Sequence, residues 1–456
     1  MLKRFIGNKA FYKVALAIAI PIMIQQGITA IVNLVDNFMV GSLGDNVISG
    51  VATVNQILFV PSICLVGGLG GPGIYLSQFY GAKNKAKLQE TFRIKALFSA
   101  IVMIIFLIIL SLYSKEIISL FVDKDSDVTY ATEYAIEYMS VMIYTLIPLA
   151  IIQLYGTSLR ETKHTKLPMI SGIISIFVNI FLNYILIFGN FGFEPMGVKG
   201  AAIATLIARI VDALILVIAS HLVKHYSFCD KAFTPFTLTK DLLKKIVKKG
   251  TPLLFNEFLW SLGMTMLFYA YSERGNLVVN AYNISSAVAN LFFILFSAVA
   301  SAIAIMVGNE LGAGNIELAK DNSRKLIFLG VMISIFMGFI MFSLSFIIPK
   351  FYNVSDETRK LAKYFLWGNA LFMWLYMFNC GCFYTIRSGG QSMQTLLFDS
   401  GYTWIIQVPI ALALVKLTSL DIITIFILVQ LCDFLKLGLG IYFVKKEKWA
   451  QNLTTA

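Results

Sequence analysis

The stretch at residues 279–306, VNAYNISSAVANLFFILFSAVASAIAIM, decides the kind of fold that this chain adopts. It contains no charged residue, and it is longer than the ~20 residues that a helix needs to cross the hydrocarbon core of a bilayer. A segment in that core must satisfy its backbone polar groups internally, and a helix does so. The stretch therefore predicts a membrane-spanning α-helix.

The remainder of the 456-residue chain repeats this pattern, since 58% of all residues are hydrophobic, 14% are charged and the mean hydropathy is +0.78. Charged residues make up about 25% of an average soluble domain. We therefore predict an all-α integral membrane protein with twelve transmembrane helices. The predicted spans are 12–40, 47–77, 97–113, 134–159, 167–189, 200–220, 250–272, 279–306, 326–348, 364–386, 395–415 and 422–444.

The net charge of +12 is explained by membrane topology, because the basic residues stand mainly between the apolar stretches. Short cytoplasmic loops of membrane proteins are enriched in Lys and Arg. With both termini in the cytoplasm, most of the 37 Lys and Arg residues fall on the cytoplasmic side, although a basic stretch at 350–363 runs against the rule. We expect a multi-pass protein of the cytoplasmic (inner) membrane with both termini cytoplasmic and no nucleic-acid partner.

The two halves of the sequence are related by an offset of 231 residues, which places Pro21 on Pro252 and Gly44 on Gly275. Each half holds six predicted spans, so both enter the membrane in the same direction. Such parallel repeats are typical of transporters that bind their substrate between the halves. The predicted division is an N-lobe at 1–220, a basic cytoplasmic linker at 221–249 and a C-lobe at 250–456.

Several short motifs stand in a fixed order along the two halves. They are Pro21, VDNFMVGSLG at 35–44 and YLSQFYGAKN at 75–84, then Pro252, NE at 256–257, SERG at 272–275 and MVGNELGAGN at 306–315, together with GFEPMGVKGAAIAT at 192–205 and RSGG at 387–390. In this order and spacing, the sequence resembles the bacterial multidrug and toxic compound extrusion (MATE) family over nearly its whole length.

The resemblance implies two six-helix lobes, related by a pseudo-two-fold axis, that form a V-shaped cavity. It also implies an antiporter that exports small organic drugs or metabolites, of cationic or amphipathic character, in exchange for H⁺ or Na⁺ by alternating access. We expect a monomer that needs no cofactor.

Three rival functions are weighed at this stage, and one of them, a channel, is disfavoured because duplicated halves with single acids favour alternating access. A lipid-linked oligosaccharide flippase of the same superfamily would be expected to line its cavity with basic residues, which are scarce within these spans. A membrane enzyme would need a cluster of catalytic or metal-binding residues, and the sequence offers none that we recognise, so we predict that the chain is not an enzyme.

Few ionisable residues fall inside predicted spans, where each costs several kcal/mol unless it is paired or hydrated. Asp36 lies late in the first span, and Asn179 and Asn183 share one face of the fifth span because they are four residues apart. By resemblance, Asp36 is the N-lobe coupling acid, and Asn179, Asn183 and Thr205 surround it. The family often has Asp where this chain has Asn183. Both asparagines could instead form hydrogen bonds between helices.

In the second half, Glu257 matches a cation-binding acid of the family, and Asp399 faces either Glu257 or the membrane interface. Asp433 and Lys436 stand three residues apart and are expected to pair with each other. Pro21 removes a backbone hydrogen bond inside the first span, which predicts a helix kink there.

Overall fold

The computed structural model describes residues 5–121, 128–222, 226–234, 237–352 and 354–455, and most of these residues are helical. Fifteen α-helices are numbered here in chain order. They are α1 Lys9–Gly41, α2 Asp45–Gly81, α3 Lys85–Phe121, α4 Val128–Met142, α5 Leu146–Glu161, α6 Lys166–Phe188, α7 Gly197–Leu222, α8 Lys240–Ser272, α9 Asn276–Gly312, α10 Ile316–Leu344, α11 Asp356–Ser388, α12 Ser392–Leu396, α13 Val408–Leu417, α14 Ile422–Leu431 and α15 Asp433–Lys445.

Three pairs of these helices form continuous rods. A 3₁₀ turn joins α4 to α5, two π-helical turns at Leu397–Gly401 and Thr403–Gln407 join α12 to α13, and α14 continues directly into α15. The described residues therefore form twelve long helical rods, and each predicted span falls on one of them. This confirms the predicted all-helical membrane fold.

Eleven of the rods are long and apolar enough to cross a membrane. The remaining one, α11, has 33 residues but begins with acidic residues and carries asparagines within it. The amide nitrogens of Asn369 and Asn379 have partners inside the protein. Asn369 donates to the Ser285 hydroxyl at 3.0 Å, and Asn379 donates to the backbone oxygen of Asp433 at 3.3 Å. Buried polar side chains of this kind need such partners, so α11 tolerates its polarity by packing among other helices.

The helix α1 runs through Pro21 as one element from Lys9 to Gly41. Proline lacks the N–H that the helix would otherwise use, so the backbone bond at this point is missing. The bend of α1 at Pro21 stays a prediction.

The chain divides into two compact units whose boundaries differ from a simple division of the sequence into halves. Unit 1 consists of residues 1–23, 77–84 and 245–456, and unit 2 consists of residues 24–76 and 85–244. Unit 1 thus includes the first half of α1 and the turn between α2 and α3. The lobe boundaries expected from the sequence stay a prediction.

Each unit has its own apolar core. In unit 1, Ala15, Ile18 and Ile22 of α1 pack with buried residues of α9, α10 and α11. In unit 2, a core built from α2, α3, α4 and α7 includes Val54 and Ile118, both of which are fully buried. Burial of such side chains stabilises helix packing mainly through close van der Waals contact, because lipid is as apolar as the core.

The internal repeat appears in the backbone of two turns. After α2, Asn84 N donates to Phe79 O at 3.0 Å, and after α9, Asn315 N donates to Glu310 O at 2.9 Å. The offset between these hydrogen bonds is again 231 residues. Both turns also place a residue in the left-handed region at the same repeat position, Lys83 with φ 55° and Gly314 with φ 82°.

Two glycines bring these turns together within unit 1. A Cβ atom on Gly81 would overlap the backbone carbonyl of Asn309, and a Cβ atom on Gly312 would overlap the backbone carbonyl of Gln78. The repeat offset relates Gly81 to Gly312 and Gln78 to Asn309, so these are two equivalent contacts across a pseudo-two-fold axis. We call this pair of contacts the glycine clasp. Asn309 Nδ2 also donates to the Ser77 hydroxyl at 2.8 Å.

Candidate functional site

The first cluster of polar side chains lies in unit 2 and is built around Asp36 of α1. Asn183 Nδ2 donates to Asp36 Oδ1 at 2.7 Å. The amide of Asn179 lies 2.8 and 3.2 Å from the two carboxylate oxygens, and its nitrogen donates to both when the amide is turned to match its neighbours. The Thr205 hydroxyl lies 3.4 Å from the same amide. The structure therefore brings together all four residues that the sequence placed in this group.

Helix geometry explains this arrangement. Asn179 and Asn183 are four residues apart on α6, so their side chains project from one face, and both are buried. Thr205 lies on α7, which packs along α6, and Ala201, Ala202 and Ala204 beside it allow the two helices to approach closely. The close packing holds the amides in reach of the carboxylate.

The Asp36 cluster has a charge that its neighbours do not neutralise. No Lys or Arg forms an ion pair with Asp36 among the residues that the structure describes. The buried Oδ1 atom of Asn183 also has no hydrogen-bond donor there. A carboxylate and a free amide oxygen together offer the hard oxygen ligands that H⁺, or a small metal cation such as Na⁺, can use.

The second group of acids lies in unit 1, where each acid has a cationic partner. Arg387 Nη1 of α11 donates to Glu257 Oε1 of α8 at 3.1 Å, and the two side chains are 14% and 24% exposed. The guanidinium of Arg387 also lies 5.8 Å from the ring centres of Phe383 and Tyr384, one helical turn earlier. Glu257 is therefore already compensated by a charge of the protein itself.

Asp399 lies in the first π-helical turn and points into the protein, which resolves whether it faces the interior or the membrane interface. Lys436 Nζ of α15 donates to Asp399 Oδ1 at 2.7 Å, and Asn256 Nδ2 donates to Asp399 Oδ2 at 3.1 Å. Asn256 directly precedes Glu257, so Glu257 and Asp399 lie at the same part of α8. Asp433 and Lys436 attract each other but form no direct ion pair among the described contacts, because Asp433 Oδ1 accepts from Gln407 Nε2 at 2.8 Å.

Sequence reasoning missed the two cations that hold these acids. In the sequence, Arg387 belongs to the RSGG motif just after a predicted span, and the spacing of Lys436 favours a local pair with Asp433. The sequence did contain a signal for these pairs. A Lys or Arg within or beside a span needs a counter-charge, and few acids lie within the spans. In the described residues, no group of three or more His, Cys, Asp or Glu side chains is arranged to hold a metal ion.

The sequence model of the MatE family matches residues 21–185 and 252–431. The chain belongs to the MatE family. The two matches begin at Pro21 and Pro252, and this is the offset of 231 residues that relates the two halves. This MatE chain is therefore a multi-pass membrane protein with an internal duplication, as the sequence predicted.

Curated relatives match over most of their length. The chain is 24% identical to the "Probable multidrug resistance protein NorM" of Thermotoga maritima over 440 residues, which cover 96% of this chain and 93% of that protein. It is 24% identical to the "Probable multidrug resistance protein YoeA" of Bacillus subtilis over 414 residues, or 90% and 88% of the two chains.

Solved structures share the fold. One is described as the "Outward-facing conformation of a multidrug resistance MATE family transporter of the MOP superfamily", with a TM-score of 0.85, 21% identity and 98% of each chain covered. Another is a MOP superfamily transporter from Pyrococcus furiosus, with a TM-score of 0.82, 21% identity and 98% coverage of each chain. At 21% identity, these similarities show that the MatE chain shares the fold of these transporters.

Proposed function

We propose that this MatE chain is a secondary antiporter that exports small organic molecules, cationic or amphipathic in character, in exchange for H⁺ or Na⁺ by alternating access. It works as a monomer in the cytoplasmic membrane, with both termini in the cytoplasm and without a cofactor. The names of the curated relatives, which are probable multidrug resistance proteins, support the substrate class.

The observation that carries the proposal is the Asp36 cluster. A carboxylate inside a membrane helix is costly when it is charged and unpaired, and proton or cation binding removes that cost. The amides of Asn179 and Asn183 stabilise the charged form of the Asp36 carboxyl. Because amides carry no net positive charge, they do not replace a bound cation. The site is therefore suited to bind and release one cation in each cycle.

The energy available from one such cation is sufficient for drug export. A ΔpH of one unit is worth about 1.4 kcal/mol per proton. A membrane potential of 100 mV adds about 2.3 kcal/mol per charge. Together these terms sustain a gradient of roughly several hundred-fold for a neutral substrate that is exchanged for one proton.

The Asp36→Asn variant tests this role. The amide has the shape of the protonated carboxyl but cannot gain or lose a proton or hold a metal cation, so uphill ethidium efflux from energised vesicles should fall to the level of empty vesicles. Substrate binding should persist. Asp36→Glu should keep partial transport with a shifted pH optimum, because the carboxyl remains but is displaced by one methylene.

Asp421→Asn is the matched control, since Asp421 caps α14 through Thr424 and Asn caps helices about as well as Asp. It should transport like the wild type. Uphill efflux by a well-expressed Asp36→Asn variant at the wild-type rate would eliminate Asp36 as the coupling residue.

The flippase alternative has less support than the antiporter, although Arg209 of α7 donates to the Thr145 hydroxyl at 2.8 Å and forms no ion pair among the described residues. Such a protein would need basic side chains that are free to hold a pyrophosphate group. Arg387 and Lys436 are each neutralised by a carboxylate at 3.1 and 2.7 Å.

A further inference from the structure

The ion pair between Asp399 and Lys436 is largely buried. The two side chains are 15% and 13% exposed, and their charged atoms are 2.7 Å apart. The ammonium group also lies 5.3 Å from the ring centre of Phe398 and 5.5 Å from that of Tyr402. Aromatic faces attract cations, particularly where water is excluded. Lys436 therefore contacts one carboxylate and two rings, and the Asp433 carboxylate attracts it at longer range.

The remaining polar atoms of this site are also used by the protein. Asn256 Nδ2 binds the second oxygen of Asp399, and Asn256 Oδ1 in turn accepts from the Ser400 hydroxyl at 2.8 Å. Asp433, one turn before Lys436, is held by Gln407. These hydrogen bonds fix the carboxylate of Asp399 so that one oxygen faces Lys436 and the other faces an amide.

Asp36 and Asp399 differ in the kind of group that contacts the carboxylate. Amides surround Asp36, whereas an ammonium group on a neighbouring helix contacts Asp399. A cation that is covalently attached to the protein has a very high effective concentration at its site, so a free ion must displace it in order to bind. Displacement would also leave the ammonium unpaired in a buried position, which is strongly unfavourable.

We propose that Lys436 is a tethered counter-ion that occupies the position at Asp399 that a transported cation would otherwise take. The inference rests on the proposed antiport function and refines it, because it makes Lys436 a residue that determines ion selectivity. Asp399 is then a structural partner of Lys436 and exchanges no ion. Asp36, which has no such tether among the described residues, is the acid that the geometry identifies for coupling.

The experiment counts bound cations on the purified full-length protein. Equilibrium binding of ²²Na⁺ is measured at pH 8, and reversible proton uptake between pH 5 and pH 9 is measured without Na⁺. The variant Asp399→Asn/Lys436→Gln removes both charges of the ion pair together, and Asp433, which Lys436 also attracts at longer range, keeps its hydrogen bond from Gln407. We expect it to bind the same number of cations per molecule as the wild type, in both arms.

The single variant Lys436→Gln should bind one additional cation per molecule, because Asp399 is then free. Lys446→Gln is the matched control, since this lysine lies just beyond α15 and its Nζ donates to the Tyr442 hydroxyl at 2.7 Å. It should add none. One cation fewer in the double variant, or no additional cation in a folded Lys436→Gln protein, would overturn the inference.

These counts are independent of the antiport proposal. If the wild-type protein in liposomes shows no ion-driven ethidium flux, the proposed function fails whatever the counts are. If the flux is present and the double variant loses a cation, the function stands and the role of Lys436 is refuted.

Discussion

Glu257 is the second acid whose role can be tested, and it forms an ion pair with Arg387. Glu257→Gln removes the counter-charge of a guanidinium that is 14% exposed, so we expect a loss of about 1–3 kcal/mol in stability as well as weaker ion-coupled efflux. Thermal unfolding followed by tryptophan fluorescence measures the first effect, and ethidium efflux measures the second.

Adding Arg387→Gln separates these two effects. The double variant has no unpaired charge, so its stability should recover in part, while efflux should stay low if the carboxyl itself takes part in coupling. Full recovery of efflux in the double variant would reduce Glu257 to a structural role.

Cys229 gives a pH-dependent prediction outside the membrane spans. It lies in the described linker segment 226–234, where it donates to Ser220 O at 3.0 Å, and burial raises the pKa of its thiol to about 11. An exposed thiol has a pKa of about 8.5, so the reactive thiolate of Cys229 should be roughly 300-fold scarcer at neutral pH. Raising the pH from 7 towards 10 should therefore increase its alkylation by N-ethylmaleimide steadily.

The measurement is mass spectrometry of the Cys229 peptide after timed alkylation. The unfolded protein serves as the control and should react as quickly as a free thiol. Equal rates in the folded and unfolded protein at pH 7 would show that Cys229 is not buried as described.

At the level of helices and turns, substitutions in the glycine clasp should lower the stability of the protein. In Gly81→Ala the added methyl overlaps the carbonyl of Asn309, which is backbone and cannot rotate away, so α2 or α9 must shift. Overpacking of this kind costs about 1–3 kcal/mol. Gly312→Ala meets Gln78 in the equivalent way, and we expect a similar fall in the melting temperature from both variants.

Gly438→Ala is the control, because a Cβ on Gly438 would have no neighbour within 4 Å. Alanine is the better residue inside a helix by about 0.5–1 kcal/mol, so this variant should melt at or slightly above the wild-type temperature. If Gly81→Ala melts with it, the close approach of the two turns is wrong.

Some of these elements could be predicted from the sequence and others could not. The i, i+4 spacing of Asn179 and Asn183 fixed their common face, because α6 is a regular helix and its geometry follows from the spacing alone. The environment of Asp399 did not follow in this way. The turns around it are π-helical, so a periodicity of 3.6 residues misplaces its side chain.

The partner of Lys436 does not follow from the sequence for a different reason. Sequence spacing favours Asp433 on its own helix, and the choice of Asp399 depends on how two rods pack and on Gln407 taking Asp433. Tertiary contacts of this kind leave no local signal in the sequence. The family resemblance did not supply it either, because Lys436 belongs to none of the recurring motifs.

At the scale of the whole molecule, the orientation in the membrane follows from the distribution of Lys and Arg. We predict that a reporter that is active only outside the cytoplasm stays silent when it is fused after Ala456. The same reporter inserted at 353, in the connection between α10 and α11, should be active. Activity at the first position and silence at the second would reverse the proposed topology.

The central claim is that this MatE chain exchanges an organic substrate for a cation. The most direct test reconstitutes the purified protein in liposomes loaded with ethidium and imposes a single gradient, either of pH or of Na⁺, with the membrane potential clamped. The account predicts that one of these gradients drives ethidium uphill, and that Asp36→Asn abolishes this movement while Asp421→Asn does not. Ethidium movement that only equilibrates, at the same rate with and without either gradient, would contradict it.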